Sequence, residues 1–569
     1  MNIEERINQW LNGSYDDETK NAIRRMQKEN DPELQEAFYT DLDFGTGGLR
    51  GIMGVGPNRM NKYTVGTATQ GLANYLKESF RDTPVSVAIA YDCRNNSDYF
   101  ASVAADVLSA NNIKVFLFDA LRPTPELSFT VRHLRCQAGI VITASHNPKE
   151  YNGYKVYWND GGQLVPPHDK NVITAVRAII SIDQVKFERN SNLVTGIGKG
   201  IDEIYLRQIM QIVLSPEAIE KQHRMPVVYT PLHGTGVTLI PKVLKRIGFG
   251  NIIHVPEQDV NDGNFPTVKS PNPEEKSALE MAIAKAEETQ AALIMATDPD
   301  ADRVGVAVRN KEEKIVLLNG NQTAAILAYY TINRLKETGK MPANPMMVKT
   351  IVTTDLLSAI AAESGVKMYD VLTGFKYIAE IIRLQEGKEK FIGGGEESYG
   401  YLGADFVRDK DAVMTCCMIA EAAAWAACDG KTLCCLLDDI YSKYGYYAES
   451  LLSITKKGMN GQQEIANMMK SFRENPPEEI CGSTVKIIKD YKLRISKDME
   501  NSTETAIDLP ISDVLQFFMK DGSKVTVRPS GTEPKIKFYF SVIMAQSGPQ
   551  VTEAAHEKLS KLSAVFNSN

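Results

Sequence analysis

Three rounds of short apolar runs that alternate with helical stretches constrain the fold of this 569-residue chain more than any other feature. The first round has apolar runs at 85–92, 114–119 and 138–143. The second has runs at 226–230, 251–255 and 292–296, and the third has runs at 346–352, 367–372 and 390–394. Strands that alternate with helices indicate sheets covered by helices on both faces. We therefore predict an α/β fold for most of the chain.

The two ends of the chain have a different pattern. Roughly the first 40 residues are charged and helical in character. Beyond Tyr444, residues 515–527 predict a hairpin with Asp-Gly at its turn, and a charged helix follows it. Within the alternating part, 237–250 predicts a helix that ends at a glycine.

Composition excludes several classes of protein. A chain of this length with 43% hydrophobic and 24% charged residues is typical of a soluble protein with about three to five domains. The net charge of −7 gives no reason to expect nucleic-acid binding. The apolar stretch 412–428 is interrupted by Glu421, and the polar start MNIEERINQWLNG does not resemble a signal peptide. Eight sparse cysteines indicate reduced, buried thiols. We expect a cytoplasmic enzyme with neither a nucleic-acid nor a membrane partner.

The loop after the third apolar run holds a candidate nucleophile. Ser145 and His146 lie side by side in VITASHNPKEYNGYK (141–155), and Lys155 follows ten residues later. Pro148 cannot continue a strand ladder, and Gly153 permits an unusual turn. A serine hydroxyl beside a base can act as a nucleophile or carry a phosphoryl group. The alternative is a polar loop that only ends a strand.

A second segment, TDPDADR (297–303), resembles a metal loop. Asp298, Asp300 and Asp302 alternate along the chain, so an extended backbone would point all three carboxylates to one side. Three clustered carboxylates are costly without a cation, and hard oxygen ligands suit Mg²⁺. The alternative is a solvated acidic turn.

A third segment, FIGGGEESYG (391–400), offers groups that bind hydroxyls. Its three glycines let the backbone approach a ligand, and Glu396 and Ser398 provide acceptors and a donor for sugar hydroxyls. A glycine-rich hairpin turn is the alternative.

A fourth segment, RPSGTEP (528–534), offers groups that bind phosphate. Arg528 can hold a phosphate with two hydrogen bonds. Ser530, Gly531 and Thr532 add hydroxyls and backbone N–H groups in a turn that can form an anion nest.

Taken together and in this order, the four segments resemble those of the α-D-phosphohexomutase superfamily. FGTGGLRG (44–51), TPLHGTG (230–236) and GFKYI (374–378) resemble further motifs of that family, so the resemblance covers nearly the whole chain. It implies three related mixed α/β domains and a smaller α+β C-terminal domain around a central active-site cleft. We place the four domains at 1–212, 213–319, 320–445 and 446–569.

The resemblance also implies roles for residues near the nucleophile. Ser145 would carry a phosphoryl group. Mg²⁺ would be bound by the three aspartates and by an oxygen on Ser145. Arg50 and Arg303 would steady the phosphoryl oxygens. Lys155 and His146 are the general acid/base candidates, and the family's lysine at this position favours Lys155.

Further residues would bind the substrate. Arg528, Ser530, Gly531 and Thr532 would bind its existing phosphate, and Glu396 and Ser398 would bind its hydroxyls. Lys376 would contact sugar or phosphate, or would be an exposed lysine at a helix start.

The implied reaction interconverts a sugar 1-phosphate and the same sugar phosphorylated at its terminal hydroxyl. A bisphosphorylated sugar is the intermediate. The GEES form of the third segment resembles the glucose-type mutases, so glucose 1-phosphate and glucose 6-phosphate are the expected substrates. Ribose or deoxyribose phosphates are the alternative, because the N-terminal part resembles the long branch that includes phosphoglucomutase 2 and phosphopentomutases. Two hypotheses from other functional classes are a phosphosugar phosphatase and a catalytically silent sugar-phosphate sensor. We expect glucose 1,6-bisphosphate as an activator, and a monomer or homodimer.

Overall fold

The computed structural model describes residues 2–45, 48–456, 461–530 and 535–567. Within these ranges the strands form four sheets along the chain. The first three are covered by helices and the last is largely antiparallel, which confirms the predicted fold class. The four predicted domain ranges stay a prediction.

The helices of the described ranges follow the predicted alternation. They are α1 (Ile3–Asn12), α2 (Asp17–Glu29), α3 (Glu33–Phe38), α4 (Lys62–Ser79), α5 (Ser97–Ala110), α6 (Thr124–His133), α7 (His168–Arg177), α8 (Lys199–Met210), α9 (Pro216–Lys221), α10 (Gly236–Ile247), α11 (Glu280–Thr289), α12 (Gly320–Glu337), α13 (Leu356–Glu363), α14 (Phe375–Leu384), α15 (Ala412–Cys428), α16 (Leu433–Tyr444), α17 (Gly461–Glu474) and α18 (Pro549–Asn567). Short 3-10 turns lie at Ile182–Gln184, Ser191–Leu193 and Lys276–Leu279. Helices α1 to α3 confirm the predicted helical N-terminal part, and α10 confirms the helix predicted at 237–250.

The first sheet places the candidate nucleophile. Its strands are β1 (Gly48–Ile52), β2 (Ser86–Tyr91), β3 (Lys114–Phe118), β4 (Ala138–Ile142), β5 (Tyr151–Trp158) and β6 (Val194–Ile197), in the spatial order β1-β5-β4-β2-β3-β6. All of β4 is buried, because α4 and α5 pack on one face of the sheet and α6 packs on the other. Ser145 therefore follows the C-terminal end of a rigid central strand.

The prediction of an unusual turn at Gly153 is wrong. Gly153 lies in the middle of β5, opposite Arg50 of β1. A Cβ atom at this position would overlap the carbonyl oxygen of Thr143. Glycine is needed here because two neighbouring backbones approach it closely, and the strand places Lys155 opposite Val141 of β4.

The second sheet carries the acidic segment in a hairpin. Its strands are β7 (Val227–Thr230), β8 (Ile252–His254), β9 (Leu293–Thr297), β10 (Val304–Arg309) and β11 (Ile315–Leu318), in the order β11-β10-β9-β7-β8. Strands β9 and β10 are antiparallel, with Thr297 opposite Val304. The turn between them holds the three aspartates.

The third sheet carries the GEES segment in a second hairpin. Its strands are β12 (Pro345–Thr350), β13 (Lys367–Val371), β14 (Lys390–Glu396) and β15 (Gly400–Leu402), in the order β13-β12-β14-β15. Glu396 pairs with Gly400, so this segment forms a hairpin turn, and the binding of sugar hydroxyls by Glu396 and Ser398 stays a prediction. The glycines lie in β14, where a Cβ atom on Gly394 would overlap the Val348 carbonyl oxygen. At Gly394 the close approach is therefore to a neighbouring strand, and the prediction that it serves approach to a ligand is wrong.

The fourth sheet carries the start of the predicted phosphate-binding segment. Its strands are β16 (Tyr446–Thr455), β17 (Glu479–Ile480), β18 (Ser483–Asp490), β19 (Ile495–Asp498), β20 (Thr503–Ala506), β21 (Leu515–Met519), β22 (Lys524–Pro529) and β23 (Lys535–Met544). They run in the order β16-β23-β22-β21-β18-β19-β20, and β17 pairs with β18. Leu515 lies opposite Val527, which confirms the predicted Asp-Gly hairpin. Arg528 lies near the end of β22.

Helix α15 is apolar because it is buried in the core. Across the described ranges we find no single helix that is both long and apolar enough to span a membrane. The pair α15 and α16 meets the length and composition criteria only together, and it is bent by 82°. All eight cysteines are free thiols, as predicted, but the predicted burial holds for three of them, Cys136, Cys416 and Cys417.

Glu421 is an acidic side chain inside α15. Its Oε1 accepts hydrogen bonds from the backbone N–H groups of Leu214, at 2.6 Å, and Ser215, at 2.5 Å. Burial raises the pKa of Glu421 from 4.5 to about 7. The folded chain therefore keeps a proton on Glu421 over a pH range in which the unfolded chain has lost it.

We expect Glu421→Gln to remove part of the pH dependence of stability. A raised carboxyl pKa makes the wild type lose stability as pH rises from about 4.5 to 7, by up to about 3 kcal/mol. Glutamine keeps the accepting oxygen and does not ionise. In thermal unfolding scans, the Tm of the variant minus the Tm of the wild type should therefore increase from pH 5 to pH 8. An unchanged difference would show that Glu421 is ionised throughout that range.

Candidate active site

The Ser145 hydroxyl points at the acidic turn of the second sheet. Its Oγ donates a hydrogen bond of 2.7 Å to Asp298 Oδ2 and lies 3.2 Å from His146 Nδ1. Ser145 has φ +51°, a left-handed conformation that is uncommon for a side chain other than glycine. Its N–H donates to Thr143 Oγ1 at 2.8 Å. The loop after β4 thus holds the hydroxyl against a carboxylate from another sheet.

The three aspartates converge through a turn. Their carboxylate oxygens lie within 4.8 Å of one another, and all three side chains are buried. Ala301 has φ +50°, and Asp298 Oδ1 accepts the N–H groups of Asp302 and Arg303 at 3.1 Å. The convergence is confirmed, but the prediction of an extended backbone is wrong. Burial also contradicts the solvated-turn alternative.

Two oxygens of this turn fit a divalent cation. Among the described residues, Asp300 Oδ1 and Asp302 Oδ1 are buried without a hydrogen-bond partner. Burial, followed by the Asp300 and Asp302 carboxylates, raises the pKa of Asp298 well above its usual value. Orphaned, mutually repelling carboxylate oxygens are the donor set that Mg²⁺ neutralises.

Two lysines bind the outer side of the triad. Lys155 Nζ lies 2.7 Å from Asp300 Oδ2 and 3.5 Å from Asp302 Oδ2. Lys410 Nζ lies 3.1 Å from Asp302 Oδ2 and 3.2 Å from Asp409 Oδ1. Burial acts to lower the pKa of Lys155, but Asp300 and Asp302 outweigh it and the pKa is raised. Both side chains are therefore ammonium ions in this arrangement.

His146 has the opposite electrostatic state. Burial lowers its pKa well below the usual value, and the charges of Arg303 and Arg50 add to that effect. A neutral imidazole beside Ser145 Oγ can accept a proton. The structure thus brings both acid/base candidates to the site with different charges.

Both predicted arginines lie close enough to His146, the neighbour of Ser145, to lower its pKa. Arg303 Nη1 pairs with Glu274 Oε1 at 2.7 Å, and its Nε lies 3.7 Å from Asp302 Oδ1. Arg50 on β1 donates to Asn147 Oδ1 at 3.5 Å. Residues 46 and 47 of the motif that contains Arg50 lie outside the described residues.

The GEES hairpin faces α14. Glu396 Oε1 accepts the N–H of Gly374 at 2.9 Å, directly before that helix. Lys376 lies on its first turn with its side chain only 11% exposed and its Nζ 4.0 Å from Asp169 Oδ2. The exposed-lysine alternative is therefore wrong. Ser398 lies at the hairpin tip and is half-buried.

The predicted phosphate-binding segment approaches the same hairpin. Arg528 pairs with Lys537 across β22 and β23, and the Ser530 N–H donates to the Lys535 carbonyl oxygen at 2.7 Å. Burial raises the pKa of Glu397 to about 7, and Glu396 adds to this while Arg528 and Lys537 oppose it. Gly531 and Thr532 lie outside the described residues.

Comparison with known proteins identifies the family. Three family models described as phosphoglucomutase/phosphomannomutase α/β/α domains I, II and III match residues 41–183, 203–311 and 319–444. A phosphoglucomutase of Staphylococcus haemolyticus is 40% identical over 515 residues, covering 89% of this chain and 91% of its own. The chain belongs to the phosphoglucomutase/phosphomannomutase family. A phosphoglucomutase of Staphylococcus aureus strain MRSA252 is 38% identical over 536 residues, covering 94% and 95%.

Solved structures agree with this family in fold. The open form of pp63/parafusin, a phosphoglucomutase from Paramecium, has a TM-score of 0.67 at 17% identity and covers 92% of this chain and 94% of its own. A phosphoglucomutase/phosphomannomutase family protein from Burkholderia thailandensis has a TM-score of 0.66 at 17% identity, covering 92% and 97%. The predicted superfamily resemblance is confirmed, and this family member is an enzyme of the phosphohexomutase isomerase class.

Sequence reasoning missed Lys410 and Asp409. Asp409 Oδ2 accepts hydrogen bonds from Tyr157 Oη at 2.7 Å and Gln163 Nε2 at 2.9 Å, so it connects the first sheet to Lys410. The signal was the charged run RDKD (408–411) between two buried segments. Buried charges need partners, so such a run indicates a polar network.

Proposed function

We propose that this chain interconverts glucose 1-phosphate and glucose 6-phosphate, with Ser145 as the carrier of the phosphoryl group. The observation that carries the proposal is the 2.7 Å hydrogen bond from Ser145 Oγ to Asp298 within a triad that has orphaned oxygens. The relatives named phosphoglucomutase, at 38–40% identity over most of their length, support glucose as the sugar.

The residues around Ser145 have different roles in phosphoryl transfer. Asp298, Asp300 and Asp302 would hold Mg²⁺, which supplies positive charge to neutralise the phosphoryl oxygens. The Ser145 Oγ–P bond breaks as a bond forms between phosphorus and the free sugar hydroxyl. That hydroxyl gives up its proton and Ser145 Oγ gains one. Two groups can move these protons: Lys155, the favoured acid/base candidate, whose Nζ lies against Asp300 and Asp302, and neutral His146, whose Nδ1 lies 3.2 Å from Ser145 Oγ.

The remaining residues orient the sugar. Arg528 and Ser530, with Gly531 and Thr532, would hold the phosphate that does not react. Glu396 and Ser398 would bind the hydroxyls, and Lys376, two residues after the Gly374 whose N–H donates to Glu396, would contact sugar or phosphate. The bisphosphorylated sugar then turns within the cleft and returns its other phosphoryl group to Ser145. Glucose 1,6-bisphosphate would keep Ser145 phosphorylated.

We expect Arg528→Ala to weaken every phosphosugar alike. It removes a charge-assisted contact worth about 1.5–3 kcal/mol, or roughly ten- to a hundredfold in kcat/KM. Glu396→Gln is the matched variant, because it touches hydroxyls that differ between sugars. It should change the ratio of activities on glucose 1-phosphate and ribose 1-phosphate.

Parallel assays on both sugars, with free phosphate measured alongside, test the proposal. A strong preference of the wild type for the pentose would replace glucose by ribose as the substrate. Release of phosphate at the rate of substrate loss would indicate a phosphatase. If Arg528→Ala slowed only one sugar, the division between a phosphate-binding and a sugar-binding loop would be wrong.

A further inference from the structure

Arg94 lies directly under the loop that holds Ser145. It follows β2, and its side chain is fully shielded from solvent. Its Nη1 donates to the carbonyl oxygens of Pro148, at 2.8 Å, and Tyr151, at 3.0 Å. Its Nη2 donates to the carbonyl oxygens of Ser145, at 2.6 Å, and Asn147. One guanidinium thus binds four backbone carbonyl groups, three in the Ser145 loop and one at the start of β5.

The charge of Arg94 is balanced inside the protein. Asp92 Oδ2 lies 3.5 Å from Arg94 Nε, and Asp92 Oδ1 accepts the Arg94 N–H at 2.9 Å and Ser97 Oγ at 2.7 Å. Both Nη atoms are occupied by carbonyl oxygens and the charge is paired with Asp92. Arg94 therefore differs from a phosphate ligand, which would present its N–H groups to the cleft.

A ring from outside the first sheet covers the guanidinium. Arg94 Cζ lies 5.1 Å from the ring centre of Phe265, in the segment between β8 and β9. Beside it, Asn95 Nδ2 donates to Asn264 Oδ1 at 3.0 Å. Cation–ring contacts of this kind are worth more when the cation is desolvated. The same segment thereby connects the Ser145 loop to the part of the chain that carries the aspartates.

We propose that Arg94 is a positioning residue for the phosphoryl-carrying serine, and that Phe265 holds Arg94 in place. Ser145 has an uncommon left-handed φ, so the loop needs outside contacts to keep that conformation. The guanidinium of Arg94 binds the carbonyl group of Ser145 itself and those of Asn147, Pro148 and Tyr151. It thereby fixes where Oγ lies relative to Asp298. A lysine keeps the charge but cannot hold four carbonyl groups in one plane.

The inference rests on the proposed phosphoserine chemistry and is tested with Arg94→Lys. Displacement of a reacting group by about 1 Å costs on the order of a hundredfold, so we expect kcat to fall ten- to a hundredfold. KM for glucose 1-phosphate should stay within about twofold, because other loops hold the substrate. The rate of phosphate transfer from labelled glucose 1,6-bisphosphate to Ser145 should fall with kcat.

Arg309→Lys is the matched control. Arg309 is also buried and donates to three backbone carbonyl oxygens, those of Ala286, Ala291 and Glu313, away from the site. Both variants should lower Tm, and only Arg94→Lys should lower kcat and the labelling rate. Phe265→Leu is a second variant, for the case in which Arg94→Lys does not fold. It should lower kcat severalfold relative to Phe249→Leu, its control in the same part of the chain.

The outcomes separate this inference from the proposed function. Equal kcat losses in Arg94→Lys and Arg309→Lys would overturn a positioning role and leave a structural one. So would a labelling rate of Arg94→Lys equal to that of the wild type, or a kcat of Phe265→Leu equal to that of Phe249→Leu. A wild type that turns over without label on Ser145 would overturn the proposed function, and the role of Arg94 would fall with it.

Discussion

Ser145→Ala should reduce mutase turnover to below about 1% of wild type, because no other hydroxyl in the proposed mechanism carries the phosphoryl group. The buried hydrogen bond from Oγ to Asp298 is lost as well, so stability should fall by about 1–3 kcal/mol. Coupled assays of glucose 6-phosphate formation and thermal unfolding measure the two effects separately.

Ser109→Ala provides the control for this prediction. Ser109 is also buried, and its Oγ donates to the Asp106 carbonyl oxygen at 3.0 Å and accepts the Asn190 N–H at 3.1 Å. It lies on α5, outside the site, so its loss should affect stability and leave turnover intact. Retention of more than a few per cent of activity by Ser145→Ala would contradict the phosphoserine mechanism.

Asp300→Asn should cut activity at least about a hundredfold at ordinary Mg²⁺. Substitution of a residue that only hydrogen-bonds to a metal ligand typically lowers metal affinity or activity by about 10–100-fold. Asp300 would be a ligand itself, so we expect a larger loss. Its Oδ2 also accepts from Lys155 Nζ at 2.7 Å and Thr124 Oγ1 at 2.9 Å. Chelation with EDTA should silence the wild type, and added Mg²⁺ should restore it.

Binding of the metal can be measured apart from turnover. Mg²⁺ at a hundred times its Kd should stabilise the wild type by about 2.7 kcal/mol, and Asp300→Asn should lose most of that gain. Asp490→Asn is the control, because Asp490 pairs with Arg473 at 2.9 Å in the fourth sheet. Full activity after exhaustive chelation would contradict a metal role for the aspartates.

The local parts of the fold were readable from the sequence. Each of the nine predicted apolar runs became a strand, with ends shifted by at most two residues. Most of these runs are short and buried, and several are rich in β-branched residues, so burial and propensity agree for them. Strand β5 was missed because Asn152 and Lys155 interrupt its apolar pattern. Those polar residues are buried there because they face Ser97 and Asp300.

The site was readable where its residues are contiguous. Ser145 and the Asp triad each fall within one short motif, so the motifs predicted them. Lys410, Asp409 and Arg94 have partners more than 50 residues away, and their own segments do not indicate which residues those partners are. The φ of Ala301, which brings the aspartates together, depends on a turn that an alternating pattern of acids does not indicate.

Peptide mass spectrometry of the enzyme after incubation with glucose 1,6-bisphosphate tests the central claim most directly. The peptide that contains Ser145 should carry one added phosphate, and a labelled phosphate on Ser145 should pass into the sugar phosphates when glucose 1-phosphate is supplied. Ser145→Ala should take up none. An enzyme that turns over glucose 1-phosphate while this peptide stays unmodified would contradict the account.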